Sequence, residues 1–531
     1  MVIKNGKIVT PTQILEGHDI LIENGIIQEI GENLNDGTIL DAGGAYVTPG
    51  FVDIHTHGGY GADFMDSTAE AFEKALQFHL DNGTTTVVAT SCTAPKESIV
   101  SFLDFAQNYL ASTHAKIVAG IHLEGPYLSV RNRGAQKEEE LAVPDTDDYS
   151  YMLQYPGVIK TVTISPELPG AAEMTKRLRD AGITVSGGHD DGIYPEFLPA
   201  IEAGLTHLTH HFCAMSELRF KDGIRNVGLR EYALNDDRLT VELIADNRHI
   251  PPELAKMIIR AKGADRVAVV SDSLRCAGFS KDDRLYKLGA DENAQLVKIG
   301  DGVAVTADGT KFAGSITPVR QMVKHLIDAG IPVVDAVKIP VTVKTRLGWD
   351  HDHRIIVDLA EQLQDCGIEA LTVHGRTRAQ MYTGEADWTL IGDIKKNPRI
   401  HIPIIGNGDV TSPQRAKECF DKYGVDGIMI GRASFGRPWI FKEVKHYLET
   451  GEELPALTFD WKMEVLRQQV IDSVNLLDER RGILHVRRHL ANSPMFKGIP
   501  NFKETRIAML RTETVKDLFS ILDYIKGNYA I

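Results

Sequence analysis

From residue 51 onward the chain repeats one unit: an apolar run of four to eight residues, then an amphipathic stretch at helical spacing. The runs are FVDIHTH, TTTVVATSC, KIVAGIHLEGP, VIKTVTISPE, GITVSGGH, THLTHHFC, TVELIAD and RVAVVSDS. Apolar strands alternating with helices mark a parallel sheet covered by helices, and eight of them predict a (β/α)8 barrel over residues 51–338. The first helix carries its own signals. Ser67 with Glu70 reads as a capping box, Phe72, Ala75 and Leu76 share a face, and Asn82-Gly83 reads as the stop. Residues 1–50 differ in texture: short β-rich stretches (KNGKIVT, HDILIENGIIQEIG, TILDAGGAYVTPG) joined by Asn-Gly and Gly-Gly turns predict a small β-domain.

A second alternating series follows, with PVTVKTRLG, IEALTVHGRT, IPIIGNGDV and GIMIGRASF at βα spacing. Four strands cannot close an eight-stranded barrel, so residues 339–455 are expected to form a partial half-barrel. From about residue 456 to 531 apolar residues recur every three or four positions, as in WKMEVLRQQVIDSVNLLDE and TVKDLFSILDYIKGNY, which predicts a helical domain. The fold class is therefore α/β, a (β/α)8 barrel with a small N-terminal β-domain, followed by a partial half-barrel and a C-terminal helical domain, with no Pro/Gly/Ser-rich spacer at the join.

Composition narrows the function classes. At 531 residues, 43% hydrophobic and 25% charged, the chain reads as a multidomain globular protein. No run of 18 uncharged apolar residues occurs and the start lacks an apolar signal core, so a cytoplasmic protein without a membrane partner is expected. The five cysteines (Cys92, Cys213, Cys276, Cys366, Cys419) form no CxxC pair, which disfavours a thiolate zinc site. The net charge of −15 is unevenly spread: residues 1–340 hold 31 Lys+Arg against 47 Asp+Glu, residues 341–531 hold 27 against 26. Only the back part, with its basic segment 481–511, suits a polyanionic partner.

The polar residues at strand ends carry the candidate chemistry, because these ends share the mouth of a barrel. His55 and His57 end the first run, Glu124 the third, His189 the fifth and Asp272 the eighth, while His210 lies in the sixth. Imidazoles and carboxylates converging there can bind a divalent metal, which acidifies water and polarises a carbonyl; Asp272 would accept the water proton and pass it to the leaving group. His207 and His211 flank His210 and should turn away from its face by strand alternation.

The motifs HTHGGYG, HLEGPYL, RGAQ, VSGGH, THLTHHFCAM, LIADNRHI, VVSDS and FAGS occur in the order that resembles N-acetylglucosamine-6-phosphate deacetylases of the amidohydrolase superfamily, over about residues 1–338. The resemblance implies metal-dependent hydrolysis of the acetamide of a phosphorylated amino sugar. It implies Glu124, His189 and His210 as metal ligands (one or two Zn, Fe or Mn ions), His55 and His57 completing a second site, and Asp272 as general base and acid. Gln136, Arg225 and His249 fall at its substrate positions, the last two at those that recognise the sugar phosphate. Cys213 stands where the family usually has Asn, and RNVG and SDSLRCAG also depart from its pattern, which leaves a related N-acyl amino sugar open as substrate. After IPVVDAVKI the family's closing strands do not follow, so the N-terminal β-domain is expected to keep unpaired edges and exposed apolar faces.

Residues from about 338 resemble the C-terminal portion of bacterial tRNA-dihydrouridine synthases, on PVTVKTRLGWD, LTVHGRT, IIGNGDV and MIGRASFGRPW. That resemblance implies FMN bound by Lys344, His374, Asn407, Gly408, Gly431 and Arg432, and tRNA as a partner of the basic helices. Gly-rich strand-to-helix turns offer N–H donors to a phosphate in any case. The early flavin-contacting segment and the Cys loop that supplies the proton donor have no counterpart, so synthase turnover is not expected. The sequence thus reads as a metal-dependent N-acetylglucosamine 6-phosphate deacetylase fused to a truncated synthase-like half, with a homo-oligomer expected. An FMN-binding, tRNA-directed protein and an inactive hybrid are the alternatives.

Overall fold

The computed structural model describes the chain except residues 12, 36, 113–116, 282–283, 292–293, 338–341, 366–369, 478, 492, 497–498, 500–501 and 530–531. It divides into two compact units, Met1–Ile339 and Pro340–Ile531. The join expected near residue 338 lies outside the described residues, as does Cys366.

The first unit is built on eight parallel strands, each beside its sequence neighbour: β1 Phe51–Thr56, β2 Thr84–Ser91, β3 Val118–Glu124, β4 Ile159–Ile164, β5 Thr184–Gly187, β6 His207–Leu208, β7 Thr240–Leu243 and β8 Val267–Val269. All eight apolar runs became barrel strands, but the runs are not uniformly apolar in three dimensions. Ile121, Leu123, Val162, Ile164, Val241 and Leu243 pack in the apolar core. Alternate residues of the same strands are buried polar groups, among them His122, Thr163, Ser186 and Glu242. They satisfy one another: Thr163 Oγ1 lies 2.6 Å from Thr209 Oγ1 and 2.7 Å from His122 Nε2. A period of two therefore sorts each strand into an apolar face and a hydrogen-bonded one.

Ladder pairing stops between β8 and β1, and the seam closes by other means just past the strand ends. Asp272 N donates to His55 O and His57 N to Ser273 O, both at 2.9 Å. The buried Asp53 carboxylate accepts from Ser271 N at 3.1 Å. Burial pushes Asp53 up to about 6 against these hydrogen bonds.

The first helix, Ala69–Asp81, starts one residue later than its sequence signal. Its cap is Thr68, which accepts from Ala71 N, whereas Ser67 has φ 51° and ends the preceding turn Phe64–Asp66, capped reciprocally by Asp63 and Asp66. Ser67 is committed to that turn, its hydroxyl donating to Met65 O at 3.1 Å, so the cap falls to Thr68. The stop is as expected, with Asn82 as C-cap and Gly83 at φ +80°.

In the small β-domain, Val2–Lys4, Asp19–Glu23, Ile26–Gly31 and Ile39–Asp41 form one sheet, and Lys7–Val9, Ile14–Leu15 and Tyr46–Val47 another. Ile26 is 62% exposed and Ile39 58%, and both belong to edge strands. Four antiparallel strands between residues 286 and 314 form an additional sheet after β8, which the apolar pattern did not signal; its last strand, Phe312–Gly314, returns to the barrel mouth.

Beside that mouth sit two acids, Glu167 after β4 and Asp190 after β5. Burial and then the Asp190 charge push Glu167 up to about 8, and burial pushes Asp190 up to about 6. Both folded values exceed the unfolded ones, so the unfolded chain releases these protons first and the unit loses stability as pH rises from about 4 to 8. Glu167→Gln removes the Glu167 share. Thermal melts should show a higher Tm than wild type at pH 8 and little gain at pH 4.5; a gain confined to low pH would contradict the linkage.

In the second unit β9 Thr342–Arg346, β10 Ala370–His374, β11 Ile404–Asn407 and β12 Gly427–Met429 form a four-stranded parallel sheet in sequence order. Leu371, Val373 and Ile404 pack with Trp388, Ile391 and Ile394. A Cβ at Gly406 would lie 2.1 Å from the Trp388 ring, which is why that strand position is glycine. Helices Phe459–Leu477, Glu479–Ala491, Phe502–Arg511 and Val515–Tyr529 follow and share a core that includes Leu466, Ile483, Leu490, Leu518 and Leu522. Among the described residues no helix is long and apolar enough to cross a membrane.

Candidate metal centre and candidate phosphate cradle

The six strand-end residues singled out in the first unit meet in one place. Glu124 ends β3, His189 follows β5, His210 follows β6, Asp272 follows β8, and His55 and His57 straddle the end of β1. His57, Glu124, His189, His210 and Asp272 line a cavity of about 500 Å³, and His55 is fully buried behind them. Three of the six have left-handed backbones that favour glycine: His189 (φ 50°), His210 (φ 30°) and Asp272 (φ 45°). Such strain concentrates where a side chain must be aimed against local preference.

Glu124 Oε1 lies 3.1 Å from His189 Nε2 and 3.0 Å from His210 Nε2, and the two Nε2 atoms lie 3.0 Å apart. His189 Nδ1 donates to Asn132 O at 2.8 Å, and His210 Nδ1 to Cys213 O at 3.2 Å. In the tautomer that keeps its proton on Nδ1, each ring turns an Nε2 lone pair toward the other and toward a carboxylate. Lone pairs at that spacing repel unless a cation sits among them. Ligands about 2.0–2.2 Å from a zinc ion stand about 3 Å apart, so the donor set fits a divalent ion.

A second set, His55, His57 and Asp272, also brings ligand atoms within 4.8 Å of one another. Asp272 Oδ1 is 3.2 Å from His57 Nε2 and 3.6 Å from His55 Nε2. His55 Nε2 is buried with no hydrogen-bond partner. Burial acts to lower His55, but the carboxylates of Glu242, Asp272 and Glu124 outweigh it and push the ring up to about 10. The pocket thus demands positive charge, as a proton or as a metal ion.

The remaining expected residues divide. Gln136 lines the cavity, but its amide is engaged: Nε2 donates to Glu124 Oε2 at 2.8 Å, and Oε1 accepts from Thr93 N and Oγ1. His249 lines the cavity with Nδ1 donated to Asp246 Oδ2 at 2.7 Å and its ring against Phe312. Arg225 sits on the exposed hairpin Arg219–Asn226, outside the cavity wall. Cys213 lines the wall, and burial pushes its thiol far up, so it is neutral. His211 turns away, bonding Arg230 O, but His207 reaches Glu242 Oε1 at 3.2 Å.

Sequence reasoning missed Glu242, whose signal was a lone acid inside the apolar run TVELIAD, and it missed the cavity-lining cations Arg131 and Lys311.

In the second unit Lys344, His374, Asn407, Gly408, Gly431 and Arg432 all line one cavity, also about 500 Å³. Asp409, unremarked in the sequence, joins two arginines: it pairs with Arg376 at 2.7 Å and with Arg432 at 3.0 Å. His374 is pushed down to about 4 by burial and by Arg346, Lys344 and Arg376, so it is neutral, and its Nδ1 is buried without a partner. Gly431 leaves open space where a side chain would stand and precedes the short helix Arg432–Ser434. Three lining cations, Lys344, Arg346 and Arg432, and an orphaned imidazole nitrogen fit a phosphate-bearing flavin.

Comparison with known proteins matches the amidohydrolase family over residues 46–339 and the dihydrouridine synthase family over residues 318–523. N-acetyl-D-glucosamine-6-phosphate deacetylase from Mycobacterium smegmatis is 29% identical with TM-score 0.57, covering 64% of this chain and 87% of that one. The enzyme from Thermotoga maritima is 28% identical with TM-score 0.55, over 64% and 87%. For the back part, tRNA-dihydrouridine synthase B of Serratia marcescens is 40% identical over 222 residues, 41% of this chain and 65% of the relative. That of Shewanella oneidensis is 36% identical over 239 residues, 45% and 72%. The chain spans less than two thirds of the first of these two synthases. The matched ranges overlap over 318–339, which holds helix Val319–Asp328. Over residues 46–339 the chain belongs to the amidohydrolase family, and over residues 318–523 it belongs to the dihydrouridine synthase family.

Proposed function

We propose that the first unit deacetylates N-acetylglucosamine 6-phosphate, giving glucosamine 6-phosphate and acetate. One observation carries this reading: the Glu124, His189, His210 cluster and the His55, His57, Asp272 cluster adjoin a single cavity whose wall also holds the cationic or basic groups Arg131, His249 and Lys311. Glu124, His189 and His210 hold the ion in this reading, and His55, His57 and Asp272 can hold a second. When bound, a divalent ion supplies Lewis acidity, which acidifies water and polarises a carbonyl. Asp272 takes a proton from the attacking water and returns it to the leaving amine nitrogen. Gln136 holds Glu124 in orientation through its amide. His249, oriented by Asp246, turns Nε2 toward the phosphate, with Arg131 and Lys311 adding charge and Arg225 standing outside on its hairpin. Purified protein supplied with Zn2+, Mn2+ or Fe2+ should release acetate from this substrate. Soluble, metal-loaded protein that releases none would overturn the substrate assignment and turn attention to other N-acyl amino sugars.

A second reading concerns the other unit, because its six candidate residues share one cavity with the orphaned His374 Nδ1. Here FMN is the ligand, and flavin supplies redox chemistry when bound; Gly431, Arg432 and Lys344 face its phosphate, and the basic segment 481–511 faces tRNA. Flavin fluorescence titration should show binding, and Arg432→Ala should weaken it about tenfold or more. No binding by the folded wild type would remove this reading.

A further inference from the structure

We propose that Glu242 is a positioning residue that couples the two histidine–carboxylate clusters. It rests on the metal-hydrolase reading of the first unit. Glu242 lies in β7, 1% exposed, on the hydrogen-bonded face of the strand. Its Oε2 accepts from His55 Nδ1 at 2.8 Å and from the backbone N–H of His210 at 3.0 Å. Its Oε1 accepts from His207 Nε2 at 3.2 Å. One carboxylate oxygen thus touches a residue from each cluster.

Two consequences follow from elementary chemistry. Donation from Nδ1 leaves Nε2 as the ring atom at which a metal ion would replace a proton; it has no hydrogen-bond partner and stands 3.6 Å from both Glu124 Oε1 and Asp272 Oδ1. The bond to His210 N holds the left-handed turn that swings the His210 ring toward Glu124. A buried carboxylate is costly unless its oxygens are paired. Here both are paired, and two of the three partners belong to the candidate metal ligands. His207, which does not reach the cavity, acts as the third anchor and keeps the carboxylate in plane with its two clients.

Calorimetric and visible-absorption titration of full-length, chelator-stripped protein with Co2+ tests the idea, comparing wild type with Glu242→Gln. The amide keeps the shape but loses the charge and has one accepting oxygen: turned toward His55 and His210 it forfeits His207 and holds both only as a neutral acceptor, and turned the other way it presents an N–H to both. Co2+ affinity should fall about 10–100-fold, with an altered ligand-field spectrum. Wild type that binds Co2+ while Glu242→Gln binds it with equal affinity and an unchanged spectrum overturns the coupling and leaves the hydrolase reading intact. Wild type that binds no Co2+ overturns both. Should Glu242→Gln fail to fold by circular dichroism, the Co2+-loaded wild type decides by proton NMR. A hyperfine-shifted Nδ1–H of His55, slow to exchange and absent from His55→Ala, is expected; coordination through Nδ1, with no such proton, overturns the proposal.

Discussion

Asp272→Asn should lower acetate release by about 10²–10⁴-fold, the usual worth of a positioned general base, while Co2+ binding at the Glu124 cluster persists. The side chain is set by its backbone: Asp272 N donates to His55 O, its carbonyl accepts from Ser315 N, and its φ of 45° aims the carboxylate into the cavity. Burial acts to raise its pKa, but the His55 charge and the His57 hydrogen bond hold it below the ordinary carboxylate value, so it is ionised and able to take a proton at neutral pH. Asparagine keeps the volume and an oxygen for His57 but accepts no proton. The fall should therefore lie mainly in kcat, and the acid limb of the wild-type pH profile should lie low, since the base stays ionised to low pH. Retained activity in a variant that binds metal normally would remove Asp272 from the reaction. Simultaneous loss of metal would make it a ligand first and a base second.

The barrel was legible because every strand declared itself twice, as an apolar run and by the helix after it. The strand-end cluster was legible for the same reason: His55, Glu124, His189 and Asp272 break apolar runs at their C-terminal ends. Glu242 breaks its run in the middle, where a sequence reading expects a core residue, and only the alternation of the folded strand shows that it shares the polar face with His55. The φ values of His189, His210 and Asp272 had no sequence signal, since left-handed backbone is announced by glycine and these positions are not glycine. Gln136 was placed at the substrate by resemblance; its bonds to Glu124 and Thr93 appear only once the loop after β3 is folded back over the mouth. Ser67 misled because its neighbour Thr68 offers the same cap one residue on. In the second unit the Gly-rich turns announced the cradle, whereas Asp409 became visible only through the two arginines that it joins.

Glu124→Gln should abolish metal retention and take acetate release below detection, and its distinguishing mark is thermal. Glu124 Oε1 is the shared neighbour of both Nε2 atoms, and its other oxygen is held by Gln136. Replacing that oxygen pair by an amide removes the negative charge that offsets a divalent cation and turns an N–H toward one of these partners. A ligand that binds only the folded state stabilises it by about 2.7 kcal/mol at a hundred times its Kd. Wild-type Tm for the first unit should therefore rise on adding Zn2+ or Mn2+ and fall on chelation. The variant's Tm should respond to neither. In the metal-free wild type burial acts to raise Glu124, but its hydrogen bonds to His189 and His210 and the His55 charge outweigh it and hold the carboxyl well below the ordinary value. A carboxyl held low in the folded state adds stability above its unfolded pKa, so at neutral pH the metal-free variant should melt below the metal-free wild type, and the lost response to metal is the mark of a ligand. Equal metal-dependent stabilisation of both proteins would move the principal ion away from Glu124, His189 and His210 and onto the His55, His57 and Asp272 set.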